Sequence, residues 1–224
     1  LNRVLTDQVS QLLFVHSPEA GENLAREGID PARVHFTGNT MMDSLVRLLD
    51  LATHDRLRRH EVEPPYLLVT LHRPALVDTG LLCEAMAELD AVADELPVVF
   101  PVHPRTRARI DAGPRRPGAA RLLPPVGYLE FLALQRHAMG VLTDSGGVQE
   151  ETTFLGVPCF TLRDNTERPV TITQGTNTLL GLAPERIGEL PALLGRPRRP
   201  GAGVPQGWDG HAAERVAAVL RDAA

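Results

Sequence analysis

The stretch VLTDSGGVQEETTFLGVPCF, residues 141–160, decides the fold. It opens on a short apolar run, turns at Ser145-Gly146-Gly147, continues as a helical pattern from Val148 and closes on a second apolar run. A strand, a helix and a strand so closely joined make a parallel β-α-β unit. Within that helix Val148, Phe154 and Leu155 are expected to face the sheet. Outward from this unit the same alternation repeats. Strands are predicted at 12–17, 34–38, 66–72, 97–103, 120–125, 139–144 and 157–162. Helices are predicted at 18–27, 79–95, 104–111, 127–136, 146–155, 185–194 and 208–222. Strands this short and apolar are central in a parallel sheet covered on both faces. In the helix at 79–95, Leu82, Ala85, Met86, Leu89 and Val92 fall at helical spacing, which core packing explains.

The whole chain has 224 residues, 43% of them hydrophobic, enough for one full domain and part of another. Twenty-eight acidic residues against 23 cations leave a net charge of −5 without a basic block, which argues against a nucleic-acid partner. Cys83 and Cys159 each lie in an apolar stretch, as buried thiols of a reducing compartment do, and the cytoplasm is expected. No run approaches the roughly 18 apolar residues of a membrane span. The first residues have neither a signal-peptide pattern nor an initiator Met, so the chain is expected to be part of a longer protein. Residues 195–207, dense in Pro and Gly, read as a linker ahead of the last helix.

Ser145, Gly146 and Gly147 lie at the carboxyl end of a parallel strand, the edge where open α/β sheets bind ligands. The first N–H groups of a helix have no partner inside it, and glycines let an anion such as a diphosphate approach them. Glu151, one turn further, suits sugar hydroxyls rather than phosphate. The alternative is purely structural: Ser145 as an N-cap, with Glu150 and Glu151 complementing the helix dipole. His72 and Arg73 end one strand in VTLHRPALVD (69–78), and His103, Arg105 and Arg107 follow another in VVFPVHPRTR (98–107). Thr166 is placed to cap a helical turn that holds Arg168 and Pro169 at its start. Such His-Arg clusters on one sheet edge favour a bound polyanion. The scattered histidines have no metal-ligand spacing, and no metal is expected.

Six motifs in order, VHFTGNTMMDSL (34–45), VTLHRPALVD, VVFPVHPRTR, TDSGGVQEE (143–151), LRDNTERPVT (162–171) and GTNTLLG (175–181), resemble the UDP-N-acetylglucosamine 2-epimerases of the non-hydrolysing type. The likeness runs on to WDGHAAERV (208–216). It implies an α/β, glycosyltransferase-B-like fold of two Rossmann-like domains, of which this chain holds the carboxy-terminal one and a fragment of the other. Residues 1–37 would end the amino-terminal domain, 38–200 would form the UDP-binding domain, and 201–224 would carry a last helix back to the amino-terminal domain. The implied activity interconverts UDP-GlcNAc and UDP-ManNAc by elimination and re-addition of UDP, without metal or nicotinamide cofactor, in a homodimer serving cell-surface polysaccharide synthesis. By position, Ser145, Gly146 and Gly147 match the diphosphate turn, Glu151 the ribose-binding glutamate, Arg168 a nucleotide-binding arginine, Phe131 a residue near the uracil and His72 a catalytic histidine. Arg73 and His103 match a second, regulatory UDP-GlcNAc site of some members. A hydrolysing 2-epimerase releasing ManNAc and UDP, and a UDP-sugar-binding or glycosyltransferase relative of the same fold, are the alternatives.

Overall fold

The structure, a computed structural model, describes residues 1–113, 118–197 and 202–223. In chain order it contains α1 (Asn2–Val9), β1 (Leu13–Val15), α2 (Pro18–Arg26), β2 (Val34–Phe36), α3 (Thr40–Leu48), α4 (Asp55–Arg58), β3 (Leu67–Thr70), α5 (Pro74–Val77) and α6 (Leu81–Ala93). There follow β4 (Val98–Pro101), α7 (Pro104–Ala112), β5 (Arg121–Leu123), α8 (Tyr128–His137), β6 (Gly140–Thr143), α9 (Gly146–Leu155), β7 (Cys159–Thr161), α10 (Pro169–Thr173), β8 (Asn177–Leu179), α11 (Leu190–Leu194) and α12 (Ala212–Asp222). These elements form two compact units, Leu1–Asp50 with Val204–Ala224, and Leu51–Gly203.

The larger unit is built on six strands in the order β5-β4-β3-β6-β7-β8. Every pairing is parallel. The strand order reverses between β3 and β6, so their carboxyl ends open on the crevice where doubly wound sheets take ligands. Successive side chains of a strand point to opposite faces, and Leu67, Leu68 and Val69 are all fully buried. Both faces are therefore covered. Leu67, Val69 and Leu71 pack with Ala85, Met86 and Leu89 of α6 and with Ile187 and Leu190. Near the start of β3, the Tyr66 hydroxyl donates to the Leu134 carbonyl of α8 at 2.7 Å.

Some features of this unit depart from the sequence reading. Strand β8 is polar and short, without the apolar run that marks the others, and its pairing with β7 makes it a strand. In α9 the buried residues are Gly146, Val148 and the polar run Gln149 to Thr153, whereas Phe154 and Leu155 are only half-buried. The helix is thus enclosed around polar residues, of which Gln149, Glu151 and Thr152 have hydrogen-bond partners and Glu150 an ion-pair partner there. Cys159 is buried, but Cys83 is only half-buried, since its helix α6 turns that position toward the surface; both are free thiols.

The smaller unit pairs β1 with β2 in parallel around Leu13, Val15, Leu24 and Ile29. Asn39 caps α3, its Oδ1 accepting the Met41 N–H at 2.9 Å. The carboxy-terminal segment is anchored by Trp208, buried with its indole N–H donating to the His16 carbonyl at 3.0 Å. Asp43 of α3 accepts the N–H groups of Ala212 at 3.0 Å and Ala213 at 2.6 Å, so an anion caps the start of α12. Gly38, at φ 84°, passes so close to Gly207 that a β-carbon on it would collide with the Gly207 carbonyl. Helix α3 belongs to this unit, and the division falls after Asp50, whereas the sequence places a boundary at residue 37. The boundary expected at 200–201 and the middle of the linker, 198–201, lie outside the described residues.

Candidate functional site

All the site residues named from sequence lie in the larger unit. Ser145 stands at the N-cap of α9 in extended conformation, but its side chain makes no capping bond and no acid lies in the first turn. Its own N–H donates to Thr143 Oγ1 at 2.9 Å. A β-carbon on Gly146 would meet nothing within 4 Å, so packing does not call for glycine there. An open, uncapped start of a ten-residue helix can hold an anion. The purely structural alternative loses its capping bond, and Glu150 and Glu151 are engaged elsewhere.

Across the switch point, β3 delivers His72 and Arg73. Asp144, fully buried at the end of β6, accepts their backbone N–H groups on Oδ2 at 2.8 and 2.7 Å. Its Oδ1 lies 3.0 Å from His72 Nδ1. One carboxylate therefore fixes the bend of the chain after β3 and stands beside the imidazole on its Nδ1 side, away from Nε2. Asp144 escaped the sequence reading, although it stands immediately before the Ser-Gly-Gly turn.

Arg168 Nε lies 2.8 Å from Oε1 of buried Glu150. Its backbone N–H donates to Thr166 Oγ1 at 2.9 Å, and that hydroxyl donates to Gln149 Oε1 at 2.6 Å. Asn177 Nδ2 donates to the same Gln149 oxygen at 3.1 Å, and Thr161 Oγ1 donates to Asn177 Oδ1 at 2.7 Å. A buried polar network thus ties α9, β7 and β8 to the loop that bears Arg168. Thr166 does not cap α10 as the sequence suggests: the N-cap is Arg168 without a capping side chain, and the Thr166 hydroxyl takes the Arg168 N–H as one link of that network. In the same loop Arg163 lies 2.7 Å from Glu167 and, through its hydrogen bond, pulls the Glu167 carboxyl down to about 2.

Glu151 accepts the Tyr128 hydroxyl on Oε1 at 3.0 Å and Gln135 Nε2 on Oε2 at 2.6 Å. Burial pushes its carboxyl above the ordinary range, and the two hydrogen bonds oppose that rise. Phe131, half-buried, lies on α8 between Tyr128 and Gln135. His103 is exposed and caps α7, its Nδ1 accepting the Arg105 N–H at 3.2 Å. The Arg105 side chain pairs with Asp78. Arg73 and His103 follow the adjacent strands β3 and β4, each at the N-cap of the next helix. Among the described residues no group of three or more His, Cys, Asp or Glu could hold a metal, and no helix is long and apolar enough to cross a membrane.

The family model for UDP-N-acetylglucosamine 2-epimerases matches residues 1–221. The chain is similar to the UDP-N-acetylglucosamine 2-epimerase of Methanocaldococcus jannaschii, with 39% identity over 201 residues that cover 84% of this chain and 55% of that protein. It is as similar to the UDP-2,3-diacetamido-2,3-dideoxy-D-glucuronate 2-epimerase of Pseudomonas aeruginosa, 39% identical over 198 residues that cover 84% of this chain and 54% of that one. The solved structure of the M. jannaschii UDP-GlcNAc 2-epimerase in complex with UDP-GlcNAc and UDP matches with a TM-score of 0.82 at 36% identity, over 99% of this chain and 64% of that one. The chain spans about half the length of the curated relatives it matches. A six-stranded parallel sheet with the Ser-Gly-Gly turn at its switch point, together with a match over residues 1–221, shows that the chain belongs to the UDP-N-acetylglucosamine 2-epimerase family.

Proposed function

We propose that this chain is the UDP-binding part of a UDP-N-acetylglucosamine 2-epimerase that interconverts UDP-GlcNAc and UDP-ManNAc. The uncapped, glycine-opened start of α9 at the switch point of the sheet carries this reading. Ser145, Gly146 and Gly147 would hold the diphosphate, Arg168 would add a cation beside it, Glu151 would take the ribose and Phe131 would lie at the uracil. In the reaction a base takes the proton from C2 of the sugar. The C1–O bond breaks with its electron pair passing to the diphosphate, and a 2-acetamidoglucal remains. Re-addition of UDP at C1, with a proton delivered to the opposite face of C2, inverts that centre. Charge grows on the departing diphosphate, where the helix start, Arg168 and the Nε2 of His72 stabilise it. The acids beside this site, Asp144, Glu150 and Glu151, are occupied by the His72 and Arg73 N–H groups, by Arg168, and by Tyr128 and Gln135. The C2 base is therefore assigned to the remainder of the protein.

The smaller unit then represents the end of an amino-terminal Rossmann-like domain, to which α12 returns. Two parallel strands alone are a marginal sheet, and parallel sheets are ordinarily larger and covered. The family resemblance extends the reading to a cytoplasmic homodimer and to a regulatory nucleotide-sugar site at Arg73 and His103. The substrates named for the two similar relatives share UDP and differ in the sugar, so residues of this unit would recognise the shared end. Full-length protein incubated with UDP-GlcNAc should yield UDP-ManNAc. ManNAc and free UDP would indicate the hydrolysing reaction, transfer only to an added acceptor would indicate a glycosyltransferase, and absence of UDP binding would overturn the proposal.

A further inference from the structure

Tyr128, Phe131 and Gln135 form one stripe on α8, at i, i+3 and i+7, turned toward α9. Both outer members reach Glu151, one on each carboxylate oxygen. They differ in freedom, because Gln135 is fully buried whereas Tyr128 is 42% exposed. A carboxylate buried at 6% exposure with two donors is held in one orientation and kept as an acceptor. We infer that Tyr128 and Gln135 are positioning residues for ribose recognition, Gln135 anchoring Glu151 Oε2 and Tyr128 holding Oε1 in place for the ribose hydroxyls. This rests on the proposed binding of UDP with its ribose at Glu151. The specificity that follows is for a ribonucleoside diphosphate over its deoxy forms, since an oriented carboxylate loses a donor when a hydroxyl is missing.

The test uses full-length protein and calorimetric binding of UDP and of its 2′-deoxy and 3′-deoxy analogues, from neutral to acidic pH. Tyr128→Phe should reduce the preference for UDP over the deoxy form by about tenfold. It should also move the acid-side loss of UDP affinity to higher pH, because a donor that favours ionised Glu151 has gone. A merely structural role would weaken all three ligands alike without moving the pH profile. Gln135→Met, accepted only with an unchanged thermal midpoint, should act in the same direction. If Glu151→Gln abolishes the discrimination while Tyr128→Phe keeps both ratio and pH profile, the inference is overturned and the ribose assignment stands. If Glu151→Gln leaves the discrimination intact, the ribose assignment falls and the inference with it.

Discussion

At the scale of single residues, Gly146 and Asp144 show two ways in which a side chain serves the same turn. Gly146 has open space where a β-carbon would be, so the side chain of Gly146→Val meets no neighbour at its first atom. The branched side chain would occupy the approach to the helix N–H groups and weaken UDP by about 2 kcal/mol in calorimetry, with the thermal midpoint little changed. Asp144→Asn is nearly isosteric: its carbonyl oxygen can still accept the His72 and Arg73 N–H groups now held by Oδ2. Its NH2, however, cannot accept from His72 Nδ1, so the imidazole loses the carboxylate beside it that keeps Nε2 toward the site. Turnover in the full-length protein should fall about a hundredfold while UDP affinity is kept, with the changed environment of the ring visible by nitrogen NMR. Of these two, the glycine is readable in the sequence, because a paired glycine at a helix start is a local signal. The duty of Asp144 is not, since its partners stand 71 and 72 positions away in the chain.

At the scale of elements, α9 is held less by apolar packing than by the Thr161-Asn177-Gln149-Thr166 network. Asn177→Ala would leave Thr161 without its acceptor and Gln149 without one of its donors inside the fold. Chemical denaturation should show a loss of about 2 kcal/mol, and UDP affinity should fall as the Arg168 loop loosens. In that loop the Glu167 carboxyl is lowered to about 2 by Arg163. A depressed carboxyl stabilises the fold above its ordinary value near 4.3, and that contribution is lost only as pH falls toward about 2. Carboxyl NMR should place the Glu167 midpoint there, and Arg163→Ala should return it to the ordinary range. The seven strands predicted from apolar runs are all present, although β2 has no buried residue and β5 only one, so the runs mark parallel strands more surely than central ones. Strand β8 and the polar burial of α9 escape the pattern because both depend on partners contributed by other elements.

At the scale of the whole molecule, the units are built differently, the larger one on a continuous sheet and the smaller on β1 and β2 closed by the returning carboxy-terminal segment. That closure passes through the contact of Gly38 with Gly207, both at positive φ. Gly38→Ala combines a strained φ with a backbone collision and should cost the smaller unit about 3 kcal/mol. Hydrogen exchange should then show lost protection around Trp208 and α3, while UDP binding by the larger unit persists. The α/β class, the parallel strands, the Ser-Gly-Gly turn at 145–147 and the family are legible along the chain, because they rest on local periodicity, glycine placement and ordered motifs. That Asp144 stands against His72, that Glu150 engages Arg168 and that Tyr128 and Gln135 hydrogen-bond Glu151 emerges from the tertiary fold alone. Each of these depends on side chains brought together across different elements, and the direction in which a buried polar group is satisfied follows from packing, not from its neighbours in sequence.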